Sequence, residues 1–293
     1  MEKVVIGTKE CRAEIAFLGA QLESLQSPDG REYLWQRDPK WWSGCAPVLF
    51  PMVGALRQGR TVIEGRIYEM PQHGLARRRE FSLLSQAEDE AVFSLRADDA
   101  TRQQYPYDFE LQIAYRAEGA SLTTEYRVFN RGETPMPYAI GGHPAFNIPL
   151  AEGERFEDYY VEFEREETAS CPAIVMGQGL IDPSCMTERL RGERIIPLTH
   201  QLFYGDALVF EGLSSRTVTL KGGKAGHGLT MDISQFPMLG IWSAANDGPF
   251  VALEPWQGCA TRTDEDDRFA GKRWMRLLPA GAGERVAYTV TIF

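Results

Sequence analysis

Leu239-Gly240-Ile241-Trp242 and Phe250-Val251-Ala252-Leu253-Glu254-Pro255-Trp256-Gln257 read as two buried β-strands separated by the turn signal Asn246-Asp247-Gly248. One residue breaks the apolar pattern. Glu254 is a lone carboxylate between an apolar run and a Pro-Trp step. At the end of a buried strand a carboxylate loses hydration, and its pKa rises towards the range useful for proton transfer. Glu254 is therefore the first candidate for a general base.

Outward from this pair, short alternating or β-rich runs dominate the chain. They include Lys3–Ile6, Glu14–Leu18, Thr61–Ile67, Ala91–Leu95, Phe109–Tyr115, Ser121–Phe129, Tyr159–Phe163, Ala207–Phe210, Thr217–Leu220, Leu229–Ile233 and Ala287–Phe293. Turn signals such as Pro28-Asp29-Gly30, Asn130-Arg131-Gly132 and Gly222-Gly223 punctuate them. Only Arg31–Trp41 and Asp98–Gln104 offer short helices. Many evenly spaced strands with few helices predict an all-β sandwich. Ala151–Phe156 and Thr168–Arg194 read as long excursions from the sheets, the second as a loop over one sandwich end. No composition shift, linker or repeat divides residues 1–293, so one domain is expected.

The chain has 293 residues, 43% hydrophobic and 25% charged, which suits a soluble globular enzyme. A net charge of −10 argues against nucleic acid or an anionic membrane as a partner. Five cysteines without a C-x-x-C pair suggest reduced thiols and a cytoplasmic setting. Met1–Gly7 shows no secretory h-region, and the longest apolar run, Cys45–Leu56, is too short to span a bilayer.

Four histidines occur: His73, His143, His200 and His227. His143 lies in Gly141-Gly142-His143-Pro144-Ala145-Phe146-Asn147, a frame that holds an imidazole stiffly, since glycine frees the backbone and proline then fixes the next φ. It is a candidate acid or base, against a structural role at a strand end. His73, in Gln72-His73-Gly74-Leu75-Ala76-Arg77, reads first as a loop residue capping local backbone. His227 reads as a hairpin tip, and His200 carries no supporting signal.

Arg77-Arg78-Arg79 reads as a solvated face from which at most two side chains could meet one ligand. Arg57, after an apolar Gly-containing turn, could fork onto sugar hydroxyls or an anion. Asp206 reads first as an Asx-turn residue and second as a ligand acceptor. Trp256 reads as the wall of a sugar pocket and Trp242 as core. No nucleophile elbow, phosphate loop, zinc helix or dinucleotide fingerprint is present. No metal or cofactor is expected, although His73, His143 and Glu254 could in principle converge as two histidines and a carboxylate.

Taken together, Phe50–Gly54, His73–Arg77, Gly142–Phe146, Asp206–Phe210, Leu239–Ser243 and Leu253–Trp256 occur in the order seen in aldose 1-epimerases. The chain resembles this family, and within it a LacX-like bacterial branch, along nearly its whole length. The resemblance implies a large antiparallel supersandwich of the galactose mutarotase type. It also implies Glu254 as general base, His143 as general acid, and His73, Asp206 and Arg57 as sugar-binding residues. Galactose mutarotases carry Asn-Arg where this chain has Leu56-Arg57, a departure that bears on galactose specificity. Related hexose-6-phosphate epimerases hold phosphate with an arginine, so Arg77 could mark a phosphosugar.

The implied reaction interconverts the α and β anomers of an aldohexose by acid/base ring opening and closure, with Glu254 ionised and His143 protonated. The expected partner is a small sugar, bound by a monomer or homodimer. A non-catalytic sugar-binding or sensing module is the alternative on the same sandwich. A glycoside hydrolase would need two carboxylates, for which Asp206 and Glu254 could be offered.

Overall fold

The computed structural model describes residues 3–293. Every paired strand in it is antiparallel. The framework is two large sheets facing each other. The larger has nine strands in the spatial order Leu180–Pro197, Tyr159–Val175, Thr217–Gly222, Gly228–Asp232, Gly283–Ile292, Ser121–Asn130, Phe109–Glu118, Glu90–Arg96, Ser82–Gln86. The smaller has six, comprising Leu208–Glu211, Met238–Trp242, Phe250–Gln257, Ile140–Gly142 and Val48–Leu49 in that order, with Ala145–Asn147 also pairing to Phe250–Gln257. A three-stranded sheet, Lys3–Gly7, Arg12–Ala16 and Leu22–Gln26, adds to the framework.

Side-chain alternation puts the core between the two large sheets. In Ser121–Asn130 every second residue is buried, with Leu122, Tyr126 and Val128 at 1% exposure or less. The other face is polar, and Thr123 meets Thr289 across the strands at 2.8 Å. From the six-stranded sheet Leu239, Ile241, Val251 and Leu253 enter the same core. Phe163 and Phe210 join the layers edge to face at 5.6 Å. The expected all-β supersandwich is the fold observed.

Two local expectations are corrected. Arg31–Trp41 is not helical; it holds only isolated bridges and a turn. Pro39 and the left-handed Arg37 (φ 62°) interrupt it, while Leu34 and Trp35 are buried as single anchors. Thr168–Arg194 is not a loop. It forms the ends of two long strands, Tyr159–Val175 and Leu180–Pro197, whose register shifts several times at bulges. The tip of this hairpin arches over the outer face of the six-stranded sheet. It is fixed there by the Ile181 N–H to the Thr261 carbonyl (3.1 Å) and the Thr263 N–H to the Ile181 carbonyl (2.8 Å). The helix expected near Asp98–Gln104 is present over Asp99–Arg102, capped by the Asp98 carboxylate accepting from the Thr101 N–H at 2.7 Å. No helix among the described residues is long and apolar enough to cross a membrane. All five cysteines are unpaired, and four are buried.

Candidate active site

The outer face of the six-stranded sheet carries the site. Along the central strand Phe250–Gln257, Val251 and Leu253 point into the main core, so Glu254 and Trp256 must point the other way. They line a cavity of about 360 Å³ with Trp42, Gln72, His73, Arg77, His143, Asp206 and Trp242. That volume lies at the small end of ligand sites, roughly 300–1,000 Å³. Ile174, Gly179 and Ile181 from the arching hairpin close one side.

His143 reaches Glu254 through strand register. The Ile140–Gly142 strand pairs Gly141 with Trp256, and the Ala145–Asn147 strand pairs Ala145 with Ala252. Both lie beside the same central strand, so His143 between them stands level with Glu254. Proline at 144 cannot donate to the ladder, but its carbonyl accepts from the Leu253 N–H at 3.1 Å. His143 Nε2 is 3.4 Å from Glu254 Oε1. Their side chains are 8% and 2% exposed. Glu254 Oε2, His143 Nδ1 and Trp256 Nε1 have no hydrogen-bond partner among the described residues.

Burial dominates the electrostatics. It pushes Glu254 well above the usual carboxylate range, and the nearby Asp206 charge adds to the shift. The Trp256 indole opposes this weakly, although its N–H is not in hydrogen-bond geometry. Burial also lowers His143 to about 3, opposed by a hydrogen bond to its own backbone and aided by the Arg77 charge. Burial therefore favours the neutral form of each group, whereas the expected arrangement has Glu254 ionised beside protonated His143. The two arrangements hold the same number of protons and differ only in which partner carries one.

His73 occupies a left-handed position (φ 66°) in a tight turn. Its Nδ1 accepts from the Gly54 N–H at 3.1 Å, and its own N–H donates to the Gly54 carbonyl at 2.8 Å. Nδ1 is thus the lone-pair nitrogen, which leaves Nε2 to carry the hydrogen. Burial holds this imidazole neutral, its pKa far below the ordinary value. The expected backbone-capping role is met, and the same ring lies 5.6 Å from that of His143 in the cavity wall. Gly74 follows because a Cβ there would strike the Phe50 carbonyl.

Asp206 also sits at positive φ (83°). Its Oδ1 accepts from the Ala207 N–H at 2.7 Å, the local turn role, while the residue lines the cavity. Arg77 lies in the short 3₁₀ turn Ala76–Arg78. It is the only arginine in the cavity wall, and its buried Nε has no partner among the described residues. Arg78 and Arg79 do not line the cavity.

Arg57 is the correction. It lies outside the cavity, with Nη1 donating to Asp267 Oδ1 at 2.6 Å and Nη2 donating to the carbonyls of Arg262 and Glu265 at 2.9 and 3.0 Å. The left-handed Gln58 (φ 56°) turns the chain here, and the acidic 262–267 loop takes up the guanidinium. Trp242, expected in the core, is half-buried in the cavity wall. Trp42 and Gln72 went unremarked in the sequence. The adjacent Trp41-Trp42 pair was the available signal for the first; Gln72 offered none beyond its contact with His73.

Among the described residues no group of three His, Cys, Asp or Glu side chains is placed to hold a metal ion. The wall thus offers one buried His–Glu pair, one further carboxylate, one guanidinium, a neutral imidazole donor and flat aromatic surfaces. A sugar presents matching hydroxyls and apolar C–H faces.

The family model for aldose 1-epimerase matches residues 2–257. Protein LacX (chromosomal) of Lactococcus lactis is 41% identical over 285 residues, covering 94% of each chain. A Salmonella typhimurium protein provisionally described as a glucose-6-phosphate 1-epimerase is 27% identical over 50% of this chain and 49% of its own. The crystal structure of a galactose mutarotase related enzyme from Lactobacillus acidophilus superposes with a TM-score of 0.95 at 29% identity, covering 100% of this chain and 97% of that one. On the family match, the sequence identity and the fold together, this chain belongs to the aldose 1-epimerase family.

Proposed function

We propose that this protein is a mutarotase that interconverts the α and β anomers of an aldohexose. The observation that carries the proposal is the buried His143–Glu254 pair, 3.4 Å apart in the wall of the cavity. Ring opening moves a proton off the O1 hydroxyl and another onto O5. The C1–O5 bond breaks with its electron pair going to O5, and the O1–H pair becomes the new C1=O bond. Rotation about C1–C2 and reclosure deliver the other anomer.

The pair holds one proton, so it supplies one acceptor and one donor. A sugar O1–H donated to Glu254 favours its carboxylate form, and the proton it releases suits His143 Nε2. Glu254 then takes the O1 proton, and His143 donates to O5. His73, as a neutral Nε2–H donor, and Asp206, as an acceptor, orient hydroxyls. Trp256 and Trp242 pack against C–H faces.

Mutarotation followed by polarimetry tests this. Glu254→Gln and His143→Asn should each lower kcat by about 10²–10⁴-fold. The assignment is wrong if both keep the wild-type rate on a sugar that the wild type accelerates. Rate should also fall when the pair gains a second proton and when it loses its last. The acid limb should lie well below 6.5, because burial lowers His143 to about 3. An acid limb centred at the ordinary histidine value would count against the neutral-pair description.

A second substrate reading has its own support. Arg77 is the only arginine in the wall, and its Nε has no partner among the described residues. A phosphate oxygen would meet this group, favouring a hexose 6-phosphate. Free hexoses and their 6-phosphates should be compared on wild type and Arg77→Ala. No preference for the phosphates in wild type removes this reading, and a preference that survives Arg77→Ala removes Arg77 as the phosphate contact.

A further inference from the structure

A histidine that moves protons is usually oriented by a hydrogen bond to its other nitrogen. His143 lacks a strong form of this device: Nδ1 is buried and, apart from its own residue's backbone, has no partner among the described residues. His73 has the device, through the Gly54 N–H. The His143 ring is instead held by aromatic faces. Trp42 stacks on it, with ring centres 4.9 Å apart and planes at 24°. Trp242 meets it edge-on at 5.4 Å and 84°. Trp42 is itself held. Trp35 Nε1 donates to its carbonyl at 2.8 Å, its N–H donates to the Asp38 carbonyl at 3.1 Å, and its ring meets Trp242 edge to face at 5.3 Å. The indole also lies directly on Gly44, where any Cβ would collide with it.

We propose that Trp42 is a positioning residue for the reaction, holding the His143 imidazole in place beside Glu254 and presenting its π-face to the charge that imidazole gains. This rests on the mutarotase reading above. Among the described residues, an imidazole that takes a proton inside this cavity has no anion other than Glu254 within contact range, so the electron-rich indole face is its nearest further stabiliser. Such contacts lower the energy of a desolvated cation by an amount equivalent to a several-fold to roughly 30-fold effect on rate. The role of Trp42 is therefore on turnover more than on sugar affinity.

The test uses Trp42→Leu, which keeps apolar bulk but removes the π-face, with Trp42→Phe as the conservative rescue. Trp42→Leu should lower kcat about 10-fold with KM changed less than about 3-fold, and Trp42→Phe should recover most of the loss. Gly44→Ala, which displaces the indole without removing it, should lower kcat in the same direction. A readout independent of turnover is the carbon–proton NMR signal of the His143 ring, identified by its absence in His143→Asn. Ring-current shielding should be present in wild type, reduced in Trp42→Phe and lost in Trp42→Leu. Unchanged kcat in Trp42→Leu, or a loss confined to KM, overturns the inference while His143→Asn still loses its rate. If wild type does not accelerate mutarotation, the mutarotase reading has failed instead, and if His143→Asn keeps the wild-type rate, the role of His143 has, whatever the NMR shows.

Discussion

Trp256 owes its place beside Glu254 to two glycines, and filling one of them should cost turnover without unfolding the protein. The Trp256 ring lies over the backbone of both neighbouring strands, at Gly240 on one side and Gly141 on the other. Gly240 is also the cross-strand partner of Glu254. A Cβ on Gly240 would stand 2.6 Å from Trp256 Cζ2 and 2.7 Å from Cη2. Ordinary carbon contacts are about 3.5–4.0 Å, so the ring must retreat by about 1 Å. Movement along the sheet is blocked, because the Cδ1 edge already lies against Gly141. The remaining route is a tilt into the cavity. Overpacking of this kind costs about 1–3 kcal/mol, and the better strand preference of alanine offsets about 0.5–1 kcal/mol of that. The melting temperature of Gly240→Ala should fall by only a few degrees. A displacement of about 1 Å beside reacting groups costs on the order of 10²-fold in rate, which polarimetric mutarotation would show as lower kcat/KM. The double variant Gly240→Ala/Trp256→Phe, lacking the colliding atoms, should regain the melting temperature but not the rate. Wild-type rate and melting temperature in Gly240→Ala would refute the reasoning.

Burial of Glu254 raises its pKa, so the native state holds its proton more tightly than the unfolded chain, and stability falls as pH rises above 4.5 towards the raised value. Glu254→Gln should therefore gain stability on wild type by up to about 1.4 kcal/mol per pH unit across that window; parallel pH dependences in urea denaturation would contradict this. His143 runs the other way: its stabilising neutral form is fully present above 6.5 and is lost as pH falls towards about 3. His143→Asn should lose less stability than wild type between those values, and an equal acid loss would show that another group titrates. Arg57→Ala, which breaks contacts to Asp267 and two carbonyls, should lower stability by about 1–3 kcal/mol and leave KM near wild type. A raised KM there would return Arg57 to the sugar site. Exchanging the pair, His143→Glu with Glu254→His, should be more stable than the sum of the two single changes by about 0.5–3 kcal/mol; strict additivity in thermal denaturation would show that the side chains do not interact.

Period-2 alternation made the sandwich legible because most strands have one wet and one dry face, as in Ser121–Asn130. The hairpin over the cavity escaped for a physical reason. It ends at the sheet edge, exposes much of both faces, and carries Pro172, Gly177, Gly179, Pro183 and Gly192, which bulges accommodate and a central strand would not. Arg57 was misplaced because its direction depends on one left-handed residue and on an acid more than two hundred positions away in the chain. Trp242 and Trp42 were hard to read because pocket wall and core differ only in whether one face of an indole is covered. The frames of His143 and Glu254, by contrast, were local and visible.

The pairing of those two residues follows from strand register more than from either local frame. Strand alternation forces Glu254 outward once Val251 and Leu253 are in the core, and the flanking registers then leave His143 no other level on the sheet. A single-residue slip in either strand would move one partner into the apolar interior, where a carboxylate or imidazole has no compensating contact. Register is strongly specified only where one face is buried, so the same core that stabilises the sandwich also holds the pair in place. The unpartnered Glu254 Oε2 and His143 Nδ1 are the cost of this arrangement. Two buried polar atoms without partners are unfavourable, and a sugar hydroxyl is the kind of group that would satisfy Glu254.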